Sequence, residues 1–465
     1  MSSRIERIVA CFLILAAFNL RIFRLDLQSI WSDEGLSIYR ASHDLADIPG
    51  LSVAGIHPPL YDSLLHFWIL LAGSREFSTR FLSLFFGVLA LALIFQLGRS
   101  LLGRGGAVLA TLVAVAAPFL VYYSQETRMY APALFFTLLS VVAFLRWLRP
   151  AGSPAWLACY VVATAAAAYT HYYAWLIVAF LNLFFLLWVW VSGRGGLGRL
   201  MPWITAHVVL VLVYLPWIGV LINKYETYLT PAPGSSLANI LYQSMVSFGL
   251  GYSGGQAGAT PGQVDLFPDH WIVLSLAVAM LVVAVWGMLS GSFSGPWRQR
   301  SFKQAFLPLY LVVPVIALIF LSWGKRDFAP RYLIFAAPAY YLLIGQGLAH
   351  LFSSWKPARV TLGALALLLV LGASAMSLRN YYYDPTYWRD DMRGMAEFIN
   401  SQARDGDAII LNANYLRPTF GYYYRGAVPV VGLPDSMPVN WEEDLASLQD
   451  LASHHDRVWL VLWQT

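Results

Sequence analysis

Two adjacent carboxylates, Asp33 and Glu34, lie in the stretch Trp31-Ser32-Asp33-Glu34-Gly35, and His57-Pro58-Pro59-Leu60-Tyr61 follows in the same polar segment. A second polar group, Gln125-Glu126-Thr127-Arg128-Met129-Tyr130, ends a later apolar run. Arg80, His171 with Tyr172 and Tyr173, and Arg331 with Tyr332 stand at comparable edges. Only 12% of the residues are Asp, Glu, Lys or Arg. Ionisable side chains at the border of hydrocarbon are costly, so their default reading is functional. A carboxylate able to take a proton from a hydroxyl is a general base, and the planar fork of arginine holds phosphate oxygens. Together these groups suit a transfer reaction at a membrane surface with a phosphate leaving group. Asp33 and Glu34 are the catalytic candidates. Arg128, Arg80 and Arg331 are the phosphate candidates, with His57, Tyr61, Glu126, Tyr130 and His171 around the substrate.

Each candidate has a competing structural reading. Asp33 and Glu34 also fit a plain ion pair or a helix-end contact. His57 before two prolines is also a turn residue, Arg128 also a counter-ion for Glu126, and Arg80 also a helix-end anchor. His171 and its tyrosines also fit an interfacial aromatic belt. Glu126 and Arg128 are two apart, however, and on a helix such side chains point to different faces.

The elements that must position these residues follow from composition. The chain has 465 residues, 58% of them hydrophobic and 15% aromatic, with a mean hydropathy of +0.60. A soluble domain is about 45–50% apolar and about 25% charged, so this is a polytopic membrane protein. The net charge of +5 comes from basic residues in short loops, a topology signal and not a nucleic-acid footprint. Cys11 and Cys159 both lie in apolar segments, so no disulfide is expected. Helix one, residues 8–25, starts behind Arg4 and Arg7 in the cytoplasm and lacks a small-residue cleavage site, so it reads as retained. Residues 60–72 are too short to span, since spanning takes about 20 residues; they read as an amphipathic helix on the outer surface, carrying Asp62 and His66.

With that choice the spans are 81–97, 107–123, 131–148, 155–169, 175–191, 203–222, 272–289, 306–323, 333–352 and 360–378, about eleven with helix one. Every inner loop is then basic: Arg99/Arg104, Arg146/Arg149, Arg194/Arg199, Arg298/Arg300/Lys303 and Lys356/Arg359. The outer exceptions Arg75, Arg80, Arg128, Lys224, Lys325, Arg326 and Arg331 are candidates for binding an anion. Residues 1–379 form the membrane part, with a first outer loop at 25–78 and a long structureless outer loop at 223–270. Residues 380–465 read as a small extracytoplasmic α/β domain: helical patterns at 391–402, 416–424 and 441–453 alternate with strand patterns at 408–411, 428–431 and 458–462, which implies a parallel sheet. The chain stops directly after a strand, and the native protein is expected to continue.

The strings Trp31-Ser32-Asp33-Glu34, His57-Pro58-Pro59-Leu60-Tyr61, Arg80-Phe81-Leu82-Ser83 and Tyr123-Ser124-Gln125-Glu126-Thr127-Arg128-Met129-Tyr130, in that order, resemble the membrane glycosyltransferases of the GT-C fold. The branch resembled includes the protein O-mannosyltransferases, the aminoarabinose transferase of lipid A, and bacterial enzymes similar to dolichyl-phosphate-mannose-protein mannosyltransferases. The likeness is dense over 28–135 and looser afterwards, where Arg331-Tyr332 fits. It implies surface helices and an acidic catalytic motif in the first outer loop, with Asp33 as the base and Glu34 supporting. It also implies a sugar donor carried on a polyprenyl phosphate, transfer with inversion to an extracytoplasmic hydroxyl, and a site on the outer face of a bacterial inner or plasma membrane. His57 stands where the aminoarabinose enzymes have a lysine, so the sugar does not carry over; mannose or another hexose or pentose all fit. The C-terminal region does not resemble the lumenal domain of the eukaryotic protein mannosyltransferases, so the acceptor stays open among lipid, glycan and protein.

No cofactor is expected; a divalent metal held by Asp33, Glu34 and His57 is the less favoured alternative. Asp33, Glu34 and His57 lack the spacing of a metal site, no Gly-rich phosphate loop for a nucleotide sugar occurs, and no nucleic-acid partner is implied. The rival class is a transporter or flippase of lipid-linked sugars, which calls for charged or broken helices at mid-membrane in paired halves. A third is a lipid-binding scaffold with the C-terminal domain as a docking module.

Overall fold

The computed structural model describes residues 3–55, 57–228, 237–251, 271–290, 297–322, 328–354, 356–435 and 439–462. Helix α1 is Ser3–Ile22, and three short helices follow it, α2 (Ser32–Ala41), α3 (Ile48–Ala54) and α4 (Leu60–Ala72). Then come α5 (Glu76–Leu101), α6 (Gly103–Ala116), α7 (Pro118–Ser124), α8 (Tyr130–Trp147), α9 (Pro154–Thr170) and α10 (Trp175–Ser192). A short α11 (Arg194–Leu197) leads to α12 (Leu200–Tyr228), α13 (Leu237–Leu250), α14 (Trp271–Ser290), α15 (Trp297–Ser322), α16 (Ala337–Phe352) and α17 (Pro357–Tyr383). The C-terminal elements are α18 (Met392–Gln402), β1 (Asp407–Leu411), α19 (Arg417–Tyr423), β2 (Val430–Gly432), α20 (Trp441–His454) and β3 (Arg457–Val461).

A helix stands at each expected span. Among the described residues, six helices are long and apolar enough to cross a membrane, seven if α6 and α7 count as one bent span. The span expected at 107–123 is this bent pair, turned by 59°. Pro118 opens α7; it has no N–H to continue the ladder of α6, so the helix must break there. The helix expected from Leu333 starts later, at Ala337, and Arg331 lies in a 3-10 turn over Pro330–Leu333. The outer loop at 223–270 is not structureless: it contains α13, whose Ile240, Gln243, Ser244, Val246 and Ser247 are buried at helical spacing. Residues 229–236 and 252–270 of that loop, and Lys325 and Arg326, lie outside the described residues. Close crossings use glycine: a Cβ on Gly287 of α14 would lie 1.9 Å from the Leu343 carbonyl oxygen of α16, the small-residue contact by which membrane helices approach.

By compactness the chain divides into two units. The first comprises residues 1–24, 49–61 and 80–387; the second comprises 25–48, 62–79 and 388–465. In the second unit the sheet is parallel, in the order β2-β1-β3, with Ile409 opposite Val430 and Trp459. Every residue of the central strand is buried, as expected for a parallel strand covered on both faces. Ile409 and Leu411 pack with Met392, Ala396, Ile399 and Phe420. The alternate residues Ala408 and Ile410 pack with Leu433 and Leu451. The edge strand β3 is tied to the central strand by Asp407, which accepts from Arg457 at 2.7 Å and from the Trp459 indole at 3.0 Å. These hydrogen bonds hold its carboxyl well below the usual carboxylate range.

Helix α4 forms with the expected bounds, but its polar residues face the protein. Asp62 is buried and pairs with Arg40 at 3.2 Å, and the His66 Nδ1 is 2.9 Å from the Ala41 carbonyl. Phe67, Leu70 and Leu71 are exposed, Leu71 at 80%. The helix is therefore amphipathic in the inverse sense, with its charge consumed by α2 and its apolar face outward.

Candidate active site

In the first unit the candidates gather where α7 hands over to α8. Arg128 is buried in the turn between them. Its backbone carbonyl accepts from the Ser83 hydroxyl on α5 at 3.2 Å. The Arg128 guanidinium lies 3.4 Å from the His57 Nε2. A guanidinium only donates, so that ring nitrogen is the acceptor. His171, at the end of α9, is 1% exposed, and its Nδ1 accepts from the Tyr173 N–H at 3.2 Å. Burial first, and then the charges of Arg128 and Arg331, push its pKa down to about 3. A neutral imidazole thus stands in the field of two guanidiniums. Aromatic rings line it: Tyr130 at 5.7 Å, Tyr172 at 5.1 Å, Tyr173 at 5.5 Å, Tyr332 at 6.2 Å and Phe335 at 5.6 Å between centroids. Arg80, Tyr61 and Glu126 are buried in the same unit, each at 2% exposure or less.

One residue that sequence reasoning passed over holds this turn in place. Arg21, near the end of α1, is fully buried. It donates to the Val115 carbonyl at 3.2 Å and to the Ser124 hydroxyl at 3.1 Å, one on each side of the Pro118 break. It therefore serves a carbonyl beside the bend, where backbone polar groups would otherwise lack partners inside apolar surroundings. Gln125 returns the clasp by donating to the carbonyls of Arg21 at 2.7 Å and Phe23 at 2.8 Å. A charged residue inside an apolar run was the available signal.

In the second unit Asp33 and Glu34 occupy the first turn of α2, where carboxylates favour the positive end of the helix. They diverge in environment. Glu34 has no exposed surface and pairs with Arg389 at 2.9 Å; it also accepts from the Trp31 N–H at 3.5 Å. Arg389 was not among the sequence candidates, because only folding brings it back to α2. Asp33 is half-buried. Burial, and then the charge of Asp33, raise the pKa of Tyr415. Behind α2, Gly35 faces Thr419 of α19; a Cβ there would lie 2.0 Å from the Thr419 hydroxyl oxygen and 2.7 Å from its Cα. Gly35 therefore completes the Asp33-Glu34-Gly35 string for a steric reason. Among the described residues no three His, Cys, Asp or Glu side chains cluster as metal ligands.

The fold and the site can be set beside known proteins. Residues 56–218 match the family described as dolichyl-phosphate-mannose-protein mannosyltransferase. ArnT from Cupriavidus metallidurans in the apo state is similar over 97% of this chain and 91% of its own, at 16% identity and a TM-score of 0.60. ArnT bound to undecaprenyl phosphate is similar over 95% and 90%, at 15% identity and a TM-score of 0.59. The archaeal oligosaccharyltransferase AglB from Archaeoglobus fulgidus, in complex with an inhibitory peptide and a dolichol-phosphate, is similar over 90% of this chain and 63% of its own, at 12% identity and a TM-score of 0.59. Among curated protein sequences none matches. The chain is an integral membrane protein with the GT-C fold of membrane glycosyltransferases.

Proposed function

We propose that the chain is a glycosyltransferase that moves a sugar from a polyprenyl-phosphate donor to an extracytoplasmic hydroxyl, with inversion. The observation that carries this reading is the buried Arg128 beside His57, with His171 set among aromatic rings in the field of Arg128 and Arg331. It suits a lipid-linked phosphate: guanidinium forks for the oxygens, rings for the first isoprene units. The structures of similar fold bound to undecaprenyl phosphate and to a dolichol-phosphate support the same donor class.

The chemistry is a displacement. Asp33 accepts the proton of the acceptor hydroxyl, whose oxygen forms a bond to the anomeric carbon. The bond from that carbon to the phosphate oxygen breaks, and the electron pair leaves with the polyprenyl phosphate. Arg128, with Arg80 and Arg331, stabilises the charge that grows there, an effect worth about 2.7–4 kcal/mol for one donor in a comparable oxyanion site. His171, held neutral, leaves the arginines as the charges on the phosphate. Glu34 fixes the turn that presents Asp33. The active site and the C-terminal domain face outward from a bacterial inner membrane, and the acceptor is a lipid, glycan or protein hydroxyl.

The test is sugar transfer from a synthetic polyprenyl-phosphate donor by the full chain in nanodiscs, with and without a chelator. Asp33→Asn should retain donor binding and lose turnover by about 100-fold or more, because an amide cannot take the proton. Near-normal turnover in that variant would remove Asp33 from the mechanism. Movement of the intact lipid-linked sugar across the bilayer without transfer would replace the whole reading.

A further inference from the structure

The second unit contains a cleft of about 730 Å³ between α2 and α19. Gly35 and Tyr39 line it from α2, and Asn414, Arg417, Tyr422 and Arg425 line it from α19 and the segments flanking that helix. Among the described residues no Asp or Glu lines it. Arg417 and Arg425 are exposed, and among the described residues neither makes an ion pair. The other arginines of this unit that the structure ties down are paired: Arg40 with Asp62, Arg389 with Glu34, Arg393 with Glu76 and Arg457 with Asp407. Tyr422 is held by its hydroxyl, which donates to the Ser74 carbonyl at 2.8 Å. Helix α2 also carries Asp33, whose charge reaches Tyr415, the residue after Asn414.

We propose that this cleft is the acceptor subsite and that it takes a saccharide bearing a carboxylate or phosphate group. The proposal rests on the transferase reading above. Arg417 and Arg425 anchor the anion, and a separate, uncharged hydroxyl of the same acceptor is the nucleophile. The volume is that of a small-ligand pocket, about 300–1,000 Å³, enough for one or two sugar rings. Tyr39 and Tyr422 offer flat, amphipathic surfaces beside the two cations. A concave cleft of this kind admits a sugar, whereas a bilayer surface requires an outward apolar face.

Binding separates this proposal from the transferase reading, because it needs neither donor nor turnover. Trigalacturonate, its fully methyl-esterified form, and glucose 6-phosphate are titrated into the full chain in nanodiscs of neutral lipid. Wild type should bind trigalacturonate or glucose 6-phosphate at least about ten-fold more tightly than the uncharged ester, and less tightly as salt rises. Arg417→Gln/Arg425→Gln should abolish that preference and leave binding of the ester unchanged. Both side chains are exposed, so the variant should fold; Arg417→Lys/Arg425→Lys should restore part of the preference and serves as the control. Equal binding of acid and ester, or no binding of any of the three by wild type, overturns the proposal. It is also overturned if the double Gln variant loses affinity only for vesicles of anionic phospholipid, which would make the arginines a membrane contact. Transfer activity measured separately with an uncharged acceptor can persist through any of these failures, and its loss leaves the binding result intact.

Discussion

Replacing Glu34 by Gln should cost stability before it costs chemistry. The carboxylate has no exposed surface, and its partner Arg389 has a side chain 9% exposed, at 2.9 Å. Removing one partner of a buried pair leaves the other charge uncompensated, a loss of about 3–5 kcal/mol. Glu34→Gln and Arg389→Gln should each lose stability on that scale. The double variant should lose far less than the two combined, because it leaves no lone buried charge; the coupling should approach about 3 kcal/mol. The assay is denaturant unfolding of the full chain in detergent, followed by tryptophan fluorescence, to which Trp31 contributes with the Arg389 guanidinium 5.6 Å from its ring, with transfer measured on the same samples below the transition. There, Glu34→Gln should lose much less turnover than the roughly 100-fold expected for loss of a general base. Additive single variants would refute the structural role of the pair. Unchanged stability with turnover abolished would make Glu34 the base.

Three other outcomes follow from the same geometry. Arg128→Lys should raise the donor concentration needed for half-maximal transfer, and Arg128→Ala should raise it more, because lysine keeps the charge and loses the fork; unchanged kinetics in both would move the phosphate to Arg80 or Arg331. His171 has a folded pKa lowered to about 3 against about 6.5 when unfolded, so the unfolded chain binds the proton more readily. Stability should be full above about pH 6.5 and fall as the pH drops toward 3, a slope that His171→Phe should flatten in an acid titration of unfolding. Gly35→Ala must displace Thr419, with a Cβ at 2.0 Å from its hydroxyl oxygen; a loss of about 1–3 kcal/mol or more should appear in unfolding, and wild-type stability would show that α2 and α19 separate freely.

Much of this protein is decided locally and is legible without coordinates. Long apolar runs must become helices where hydrocarbon excludes water from the backbone, and a helix forms at every expected span. The C-terminal alternation of strands and helices gives a parallel sheet at the expected places, because a buried central strand needs the continuous apolar run Ala408–Leu411. Of the polar candidates, Arg128 lies beside His57, and His171 lies in the field of Arg128 and Arg331. Partnership was another matter. The sequence does not say that Glu34 closes on Arg389, that Asp62 is consumed by Arg40, or that Arg21 reaches a carbonyl beside the Pro118 break. Those contacts join residues distant in the chain, and each depends on how helices pack, which no local pattern encodes. The same reason hid the bend between α6 and α7 and helix α13: a proline announces a possible break and an apolar stripe a possible helix, but the partners that satisfy the freed backbone and cover the stripe come from elsewhere in the fold.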